Sequence, residues 1–494
     1  MNNIQSTPPI KTTRRLSTIH YPLFLVLLCS LFLVQCKKTS VTTSSSAKLS
    51  FSETKLFFDT VFTSVGSSVR TFVVHNNNNE AVNTSINLQG YYPTFFNINV
   101  DGVSGSAFSN VQIPANDSIY VFVTLNVTPG NPSNPAFIAD SLVFTTNGNL
   151  QSVELQGFGW DAYFYMPNMF PSSGPAYYLI TPADTAWKND KPHVIFGYLL
   201  IPPGLTLNIH EGTGVYLHDS AVIYVDSAAT LNVMGTPTLT VNFQQDRLEP
   251  DYNYLPGQWN EIFMYKASNC HVSWAVIQDG QTGFEIDTVD AGSPGPALSL
   301  DHTIIKSMSS YGIFAAGTTI NADDDLIADC QYGCVDLYIG GTYQFNQCTL
   351  ADYWGIYNGY SDRTTSLLYL NNYYESVTNQ QEPRDLKAFF GNCIVYGALD
   401  EEITLDSNYG AKFNYYFENC ILKTKHNTLA GIHYDDSISK TDPLFNNIPI
   451  DQYLVASPGS ATGYGNPGVA QYYPVDLNNA NRPTTGATVG AYEQ

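Results

Sequence analysis

The chain has 494 residues, of which 21 are Lys or Arg and 43 are Asp or Glu, giving a net charge of −22. That balance disfavours nucleic acid and anionic lipid headgroups as partners. Charged residues make up only 13%, against 34 Tyr and 27 Phe, so the chain is no disordered acidic polymer and has the material for a large core.

At the amino terminus a basic cluster, Lys11, Arg14 and Arg15, precedes an apolar run from Tyr21 to Val34 that ends at Gln35 and Cys36. This is the order of a secretory signal, and a run of about 14 residues falls short of the ~20 needed to span a bilayer. The end Leu33, Val34, Gln35, Cys36 resembles a bacterial lipobox, with Gln35 where a small residue is usual. The resemblance implies cleavage before Cys36 and attachment of lipid to its thiol, which makes residues 1–35 a signal peptide and the protein a membrane-anchored lipoprotein of the cell envelope. Removing that peptide takes three basic residues and no acidic one, leaving a net charge of −25. Residues 36–47 are mostly Ser and Thr without an aromatic ring, and are expected to form a flexible lipidated tether.

Residues 48–162 carry short strands of alternating polarity. Ile119, Val121, Val123, Leu125 and Val127 share one face, Val153 and Leu155 repeat the pattern, and Asn76 to Asn79, Asp117 and Asn147-Gly148 mark turns. That period of two predicts an immunoglobulin-like β-sandwich. The succession Phe58-Asp59-Thr60-Val61, Asn97, Val100-Asp101-Gly102, Asp117-Ser118, Thr146-Asn147-Gly148 and Val153-Glu154-Leu155-Gln156-Gly157 is similar to the amino-terminal domain of uncharacterised Bacteroidetes lipoproteins. The resemblance runs on through the chain. It implies fold and an outer-membrane location, on either face of that membrane, and carries no activity with it.

Residues 163–440 are repetitive. Short strands come first, at Leu205 to Ile209, Val215 to Leu217, Ile223 to Val225, Leu231 to Val233 and Leu239 to Phe243. A longer motif then starts at Val272, Leu300, Ala322, Phe345, Phe390 and Phe417, at intervals of 22 to 28 residues with one of 45, where Leu370-Asn371-Asn372-Tyr373 reads as a weaker copy. Such a period, with Asn or Cys after an apolar strand, resembles the coil of a right-handed parallel β-helix of the pectin-lyase-like type; Trp259 to Ile262 and the end of the chain resemble that group's strand and closing segment. Asn392 and Asn419 are expected to bond along a ladder, and residues 441–494 to cap the last coil. The fold class is therefore all-β, an Ig-like sandwich followed by a right-handed parallel β-helix.

Six cysteines follow the anchor, and five sit at or beside repeat strands, where stacked free thiols are expected. Cys330 and Cys334 are the pair to test for a bridge.

No catalytic grouping stands out. Possible ligand contacts are the loop residues Asp246, Arg247, Glu249 and Tyr252, whose carboxylates and rings suit sugars, and Asp301, His302 and Asp324, stacked one coil apart. Alternation along a strand would separate Asp324 from Asp323 and Asp325. These readings converge on an envelope lipoprotein, non-catalytic, that presents a β-helix surface to a glycan or an envelope protein. A lyase or glycoside hydrolase for acidic polysaccharide is the alternative, and a structural or adhesive stalk a third. No cofactor or metal is expected, with calcium reserved for a lyase.

Overall fold

The computed structural model describes residues 40–130, 135–289, 295–357, 359–448 and 452–494. Cys36 and the signal segment lie outside the described residues. The chain divides into two compact units, the first made of residues up to 58 with 67–126 and 138–156, the second of 59–66, 127–137 and 157–494. Helix is confined to short pieces such as the single turns Pro250–Tyr252 and Pro467–Ala470. None is long and apolar enough to cross a membrane.

Two five-stranded sheets form the sandwich. Along Asp117–Leu125 the alternation works as expected: Ile119, Val121, Val123 and Leu125 are buried, while Tyr120 and Phe122 between them are exposed. Residues 40–47 do not hang free. Thr42 and Ser40 exchange backbone hydrogen bonds with Ala81, and the Asn147 and Asn149 amides donate to carbonyls of Thr42, Ser44, Ser45 and Ala47. A segment with little apolar surface is held here through its backbone acceptors, so the tether expected over residues 36–47 is docked from residue 40 onward.

The second unit is a parallel β-helix of three faces. One coil runs through Val222–Val225 on the first face, Thr230–Met234 on the second and Val241–Gln245 on the third, and the next re-enters the first face at Trp259–Tyr265. Register places Val272, Leu300, Ala322, Phe345, Phe390 and Phe417 in one ladder on the second face. All six point into the core, and Phe345, Phe390 and Phe417 stack with ring centroids 5.2 and 4.7 Å apart. The 45-residue interval is thus one coil, since Phe345 pairs directly with Phe390. Leu370 belongs to the first face, paired with Leu337, and the extra length goes into residues 353–366 and the hairpin Tyr373–Glu375 with Gln381–Pro383.

From the strand Cys270–Ser273 onward, the chain turns a tight corner on one left-handed residue after each second-face strand. Trp274, His302, Asp324, Gln347, Asn392 and Asn419 have φ between 47° and 57°. Asn392 and Asn419 reach the closing segment: their Nδ2 atoms donate to the carbonyls of Asn466 and Tyr464, both at 3.1 Å. All six cysteines are free and buried, including Cys330 and Cys334. Residues 433–439 pair with the edge of the last coil at Phe417 to Leu422. The closing segment then doubles back along the flank, where Tyr453, Leu477, Ala491 and Tyr492 pack on Leu326, Ala328 and Ala351.

Candidate functional site

The third-face strand Val241–Gln245 ends in a loop, residues 246–258. Asp246 is buried there and its Oδ2 accepts a hydrogen bond from His218 Nδ1 at 2.7 Å. That bond raises the His218 pKa against the opposing effect of burial. Arg247 donates from Nε and Nη2 to Glu249 at 3.3 and 3.4 Å, and its guanidinium lies 3.8 Å from the centre of the Tyr252 ring. All four loop residues expected to meet a ligand therefore come together. Arg247, Glu249 and Tyr252 largely satisfy one another, however, and the guanidinium covers a ring face that a sugar would otherwise stack on. His218 escaped the sequence reading as an isolated His; Leu217 pairs with Gln245, so His218 and Asp246 are neighbours in adjacent coils.

Asp301, His302 and Asp324 are brought together at the corner after the second face, where His302 and Asp324 are enclosed and Asp301 stays partly exposed. Asp301 pairs in register with Asp323, and Asp323 with Asn346. His302 Nδ1 bonds Asp301 Oδ1 at 2.6 Å and its ring stacks on Trp274 with centroids 4.2 Å apart. Asp324 Oδ1 accepts from Arg482 Nη2 of the closing segment at 2.6 Å, with both side chains 1% exposed. Burial pushes the Asp324 carboxyl up to about 7 against the pull of Arg482. Strand alternation does not apply, because Asp324 occupies the left-handed corner while Asp325 turns into the core and accepts from the Thr303 backbone at 2.7 Å. This arrangement holds the closing segment to the coils and leaves His302 and Asp324 out of reach of a polymer.

The outward side of the first face offers an open array. Register aligns Tyr224, Phe263, Glu285, Phe314, Asp336 and Tyr369 in one ladder, a single residue from each of six successive coils. Each is half-buried, while the residues flanking it in its own strand point inward. A second line two residues along carries Tyr265, Asp287, Ala316 and Tyr338. Tyr224 lies 5.2 Å from Phe263 and Phe314 6.0 Å from Tyr338, centroid to centroid. Further along, Tyr369 and Tyr373 hydroxyls both donate to Asp406 Oδ2, at 2.7 and 2.8 Å.

Two carboxyl groups on this side are shifted upward. Burial, then the charge of Glu285 and a hydrogen bond shared with it, pushes Glu261 up to about 8. Burial alone pushes Asp336 up to about 7. Both groups therefore hold their protons more tightly than an ordinary carboxyl. Glu261, Glu285 and Asp336 were missed because each stands singly in the chain. The available signal was their outward position in strands whose inward residues are apolar.

No family model and no curated protein matches the chain. Solved structures overlap it weakly. A family 123 glycoside hydrolase from Clostridium perfringens covers 23% of this chain at 8% identity and a TM-score of 0.19, and the chain spans 27% of its length. The catalytic domain of a family 87 α-1,3-glucanase in complex with nigerose covers 76% of this chain and 91% of its own, at 10% identity and a TM-score of 0.17. The periplasmic chaperone SfaE covers 24% and 61%, at 9% identity and a TM-score of 0.17. Overlaps of this size carry no argument about activity.

Proposed function

We propose that the β-helix binds a polysaccharide along the outward side of its first face, and that the protein is an outer-membrane lipoprotein held by lipid on Cys36. The observation that supports glycan binding is the ladder in which rings and carboxyls alternate from Phe263 through Tyr369, with Tyr224 a further ring at its start. Rings suit the apolar faces of pyranoses and carboxylates accept their hydroxyls. Coils stack ~4.8 Å apart, so two coils match roughly the length of one to two sugar units in an extended chain. The test is retention of the purified protein by a panel of immobilised neutral and acidic polysaccharides. At least one should bind, and Phe314→Ala combined with Tyr338→Ala should weaken it about 10-fold or more, on the scale of ring stacking lost from two contacts. Failure of every polysaccharide to retain the wild type would overturn the reading. For the anchor, Cys36→Ser should abolish labelling by a fatty-acid analogue.

A second reading, hydrolysis of the bound glycan, is favoured by the three carboxyls. Glu285 and Asp336 stand two coils apart, ~10 Å between backbones, from which side chains can reach the ~6.5–9.5 Å separation of an inverting pair. In that case Asp336 donates the proton to the leaving oxygen and Glu285 activates water. New reducing ends from wild type, absent with Glu285→Gln and with Asp336→Asn, would establish it.

A further inference from the structure

The first face is set apart from the other two by its charged residues. From Tyr177–Leu179 through Ile403–Asp406, no strand of this face contains Lys, Arg or His. The other faces do carry them, with His210, His271 and Lys387 in strands of the second and His193 and Lys306 in strands of the third. Five carboxyls, by contrast, stand half-buried on the outward side of the first face: Glu261, Glu285, Asp287, Asp336 and Asp406. Lys266 follows directly on Tyr265, and its Nζ lies 5.4 Å from the centre of that ring. One cation at the margin of the face is thus set against a row of acids that spans several coils.

Coils stack ~4.8 Å apart, so Glu285 and Asp336 are separated by ~10 Å along the stack, about one Debye length at physiological salt. A chain bearing a carboxylate or sulfate on each sugar would meet like charge along its length, with no cation in these strands to pair with. Such juxtaposition costs affinity and suppresses the wrong partner. Burial adds to the effect at Glu261 and Asp336, where a further negative charge is disfavoured because both carboxyls already hold their protons tightly. The rings act in the same direction. The faces of Tyr224, Phe263 and Phe314 carry the negative part of the ring quadrupole, which repels an anion and suits the weakly positive C–H groups of a pyranose. What the carboxyls accept within the protein is neutral: Asp406 takes the Tyr369 and Tyr373 hydroxyls at 2.7 and 2.8 Å, and Asp287 the Val289 amide at 3.3 Å. Sugar hydroxyls would repeat that pattern.

We infer that the polysaccharide bound on the first face is uncharged, and that chains with a carboxylate or a sulfate on their sugars are excluded by the carboxyls of the same face. The inference rests on the glycan-binding reading and adds to it the charge class of the ligand.

The experiment titrates the purified protein, at about 20 mM NaCl, with neutral glucans, mannans, galactans and xylans, with polygalacturonate, alginate and chondroitin sulfate, and with chitosan. A neutral chain should bind best. That chain is then carboxymethylated and, separately, hydroxyethylated to the same degree of substitution, giving two derivatives alike in bulk and different in charge. The carboxymethyl derivative should bind about 10-fold or more weakly than the hydroxyethyl one. The gap should shrink at about 500 mM NaCl, where the screening length falls to about 4 Å. Glu285→Gln combined with Asp287→Asn should narrow the same gap at low salt; should that variant fail to fold, the salt series on the wild type carries the test. Equal binding of the two derivatives, tighter binding of an acidic chain or of chitosan than of every neutral one, or binding of a polyuronate that requires calcium would overturn the inference and leave glycan binding intact. Binding of no polysaccharide at all would overturn the glycan reading itself, and this inference with it.

Discussion

Asp336 projects from the outward side of the strand Gly333–Asn346, and burial lifts its carboxyl to about 7. In the unfolded chain the same group titrates near ~3.9. The folded state holds the proton more tightly, so the stability this group contributes is complete below about pH 4 and is lost as pH rises through 7. Asp336→Asn should therefore match the wild type near pH 4 and exceed it at pH 8 by on the order of 2–4 kcal/mol, read from urea unfolding at the two values. Coincident curves at pH 8 would mean that the carboxylate is well solvated. Arg363 presents the opposite situation. It is buried between Asp352, at 3.3 Å, and Glu402, at 2.7 Å, with all three side chains no more than 1% exposed. Arg363→Met would leave two enclosed carboxylates without their cation and should cost about 3–5 kcal/mol. Arg363→Lys should recover only part of this, since one ammonium cannot reproduce the planar fork. Nothing in the sequence indicated this cluster: Arg363 lies in a stretch without strand pattern, and its partners stand 11 residues before it and 39 after. A charge pair set by coil stacking leaves no local spacing to read.

The corner between second and third faces is an element-scale device. Asn392 adopts φ 52°, donates to the Asn466 carbonyl at 3.1 Å and accepts from the Asn466 amide at 2.7 Å. Asn392→Ala loses both bonds and places a Cβ-bearing residue without a compensating polar group in the left-handed region, so a cost of about 2–4 kcal/mol is expected. Asn392→Gly loses the bonds but not the conformational fit, and should be milder by about 1 kcal/mol. Equal losses in denaturant unfolding would show that the corner relaxes to another conformation. Repeats of this kind were legible because core ladders demand an apolar residue at each equivalent position, which is why Val272 through Phe417 fall in a single register. The gap between Phe345 and Phe390 misled for a physical reason. Insertions at coil corners extend into solvent without disturbing stacking, so sequence distance and coil number part company there. The Asn partners were equally hidden, because ladder bonding and capture of a distant segment place the same residue at the same corner.

At the scale of the whole molecule, the closing segment runs back over the flank instead of stopping at the end of the stack. On the third face it covers Ile394 and Ile421 with Val455, Ala461 and Val489, and Leu326 with Tyr453 and Leu477. These strands are therefore apolar on both sides, as parallel strands buried on both faces are. That double burial was visible in runs such as Leu326-Ile327-Ala328, but what covered the outer side was not, since nothing in the last 50 or so residues repeats the coil pattern. Two contributions of the segment can be separated by experiment. Arg482→Met removes the cation from Asp324 while leaving the apolar cover in place, so it should lower stability by about 3–5 kcal/mol and leave the state of association unchanged. Truncation after residue 441 removes the cover as well, exposing Leu326, Ile394 and Ile421 on ordered strands as a mainly apolar strip in which Thr349 stands between the first two. Such a strip binds hydrophobic dyes and associates. The truncated chain should thus show dye binding and oligomers by light scattering at temperatures where Arg482→Met shows neither. A truncated chain that neither associates nor binds dye would mean that the third face is stable in water on its own, and that the closing segment is held to the helix by its polar contacts at Asp324 and Asn392 rather than required for it.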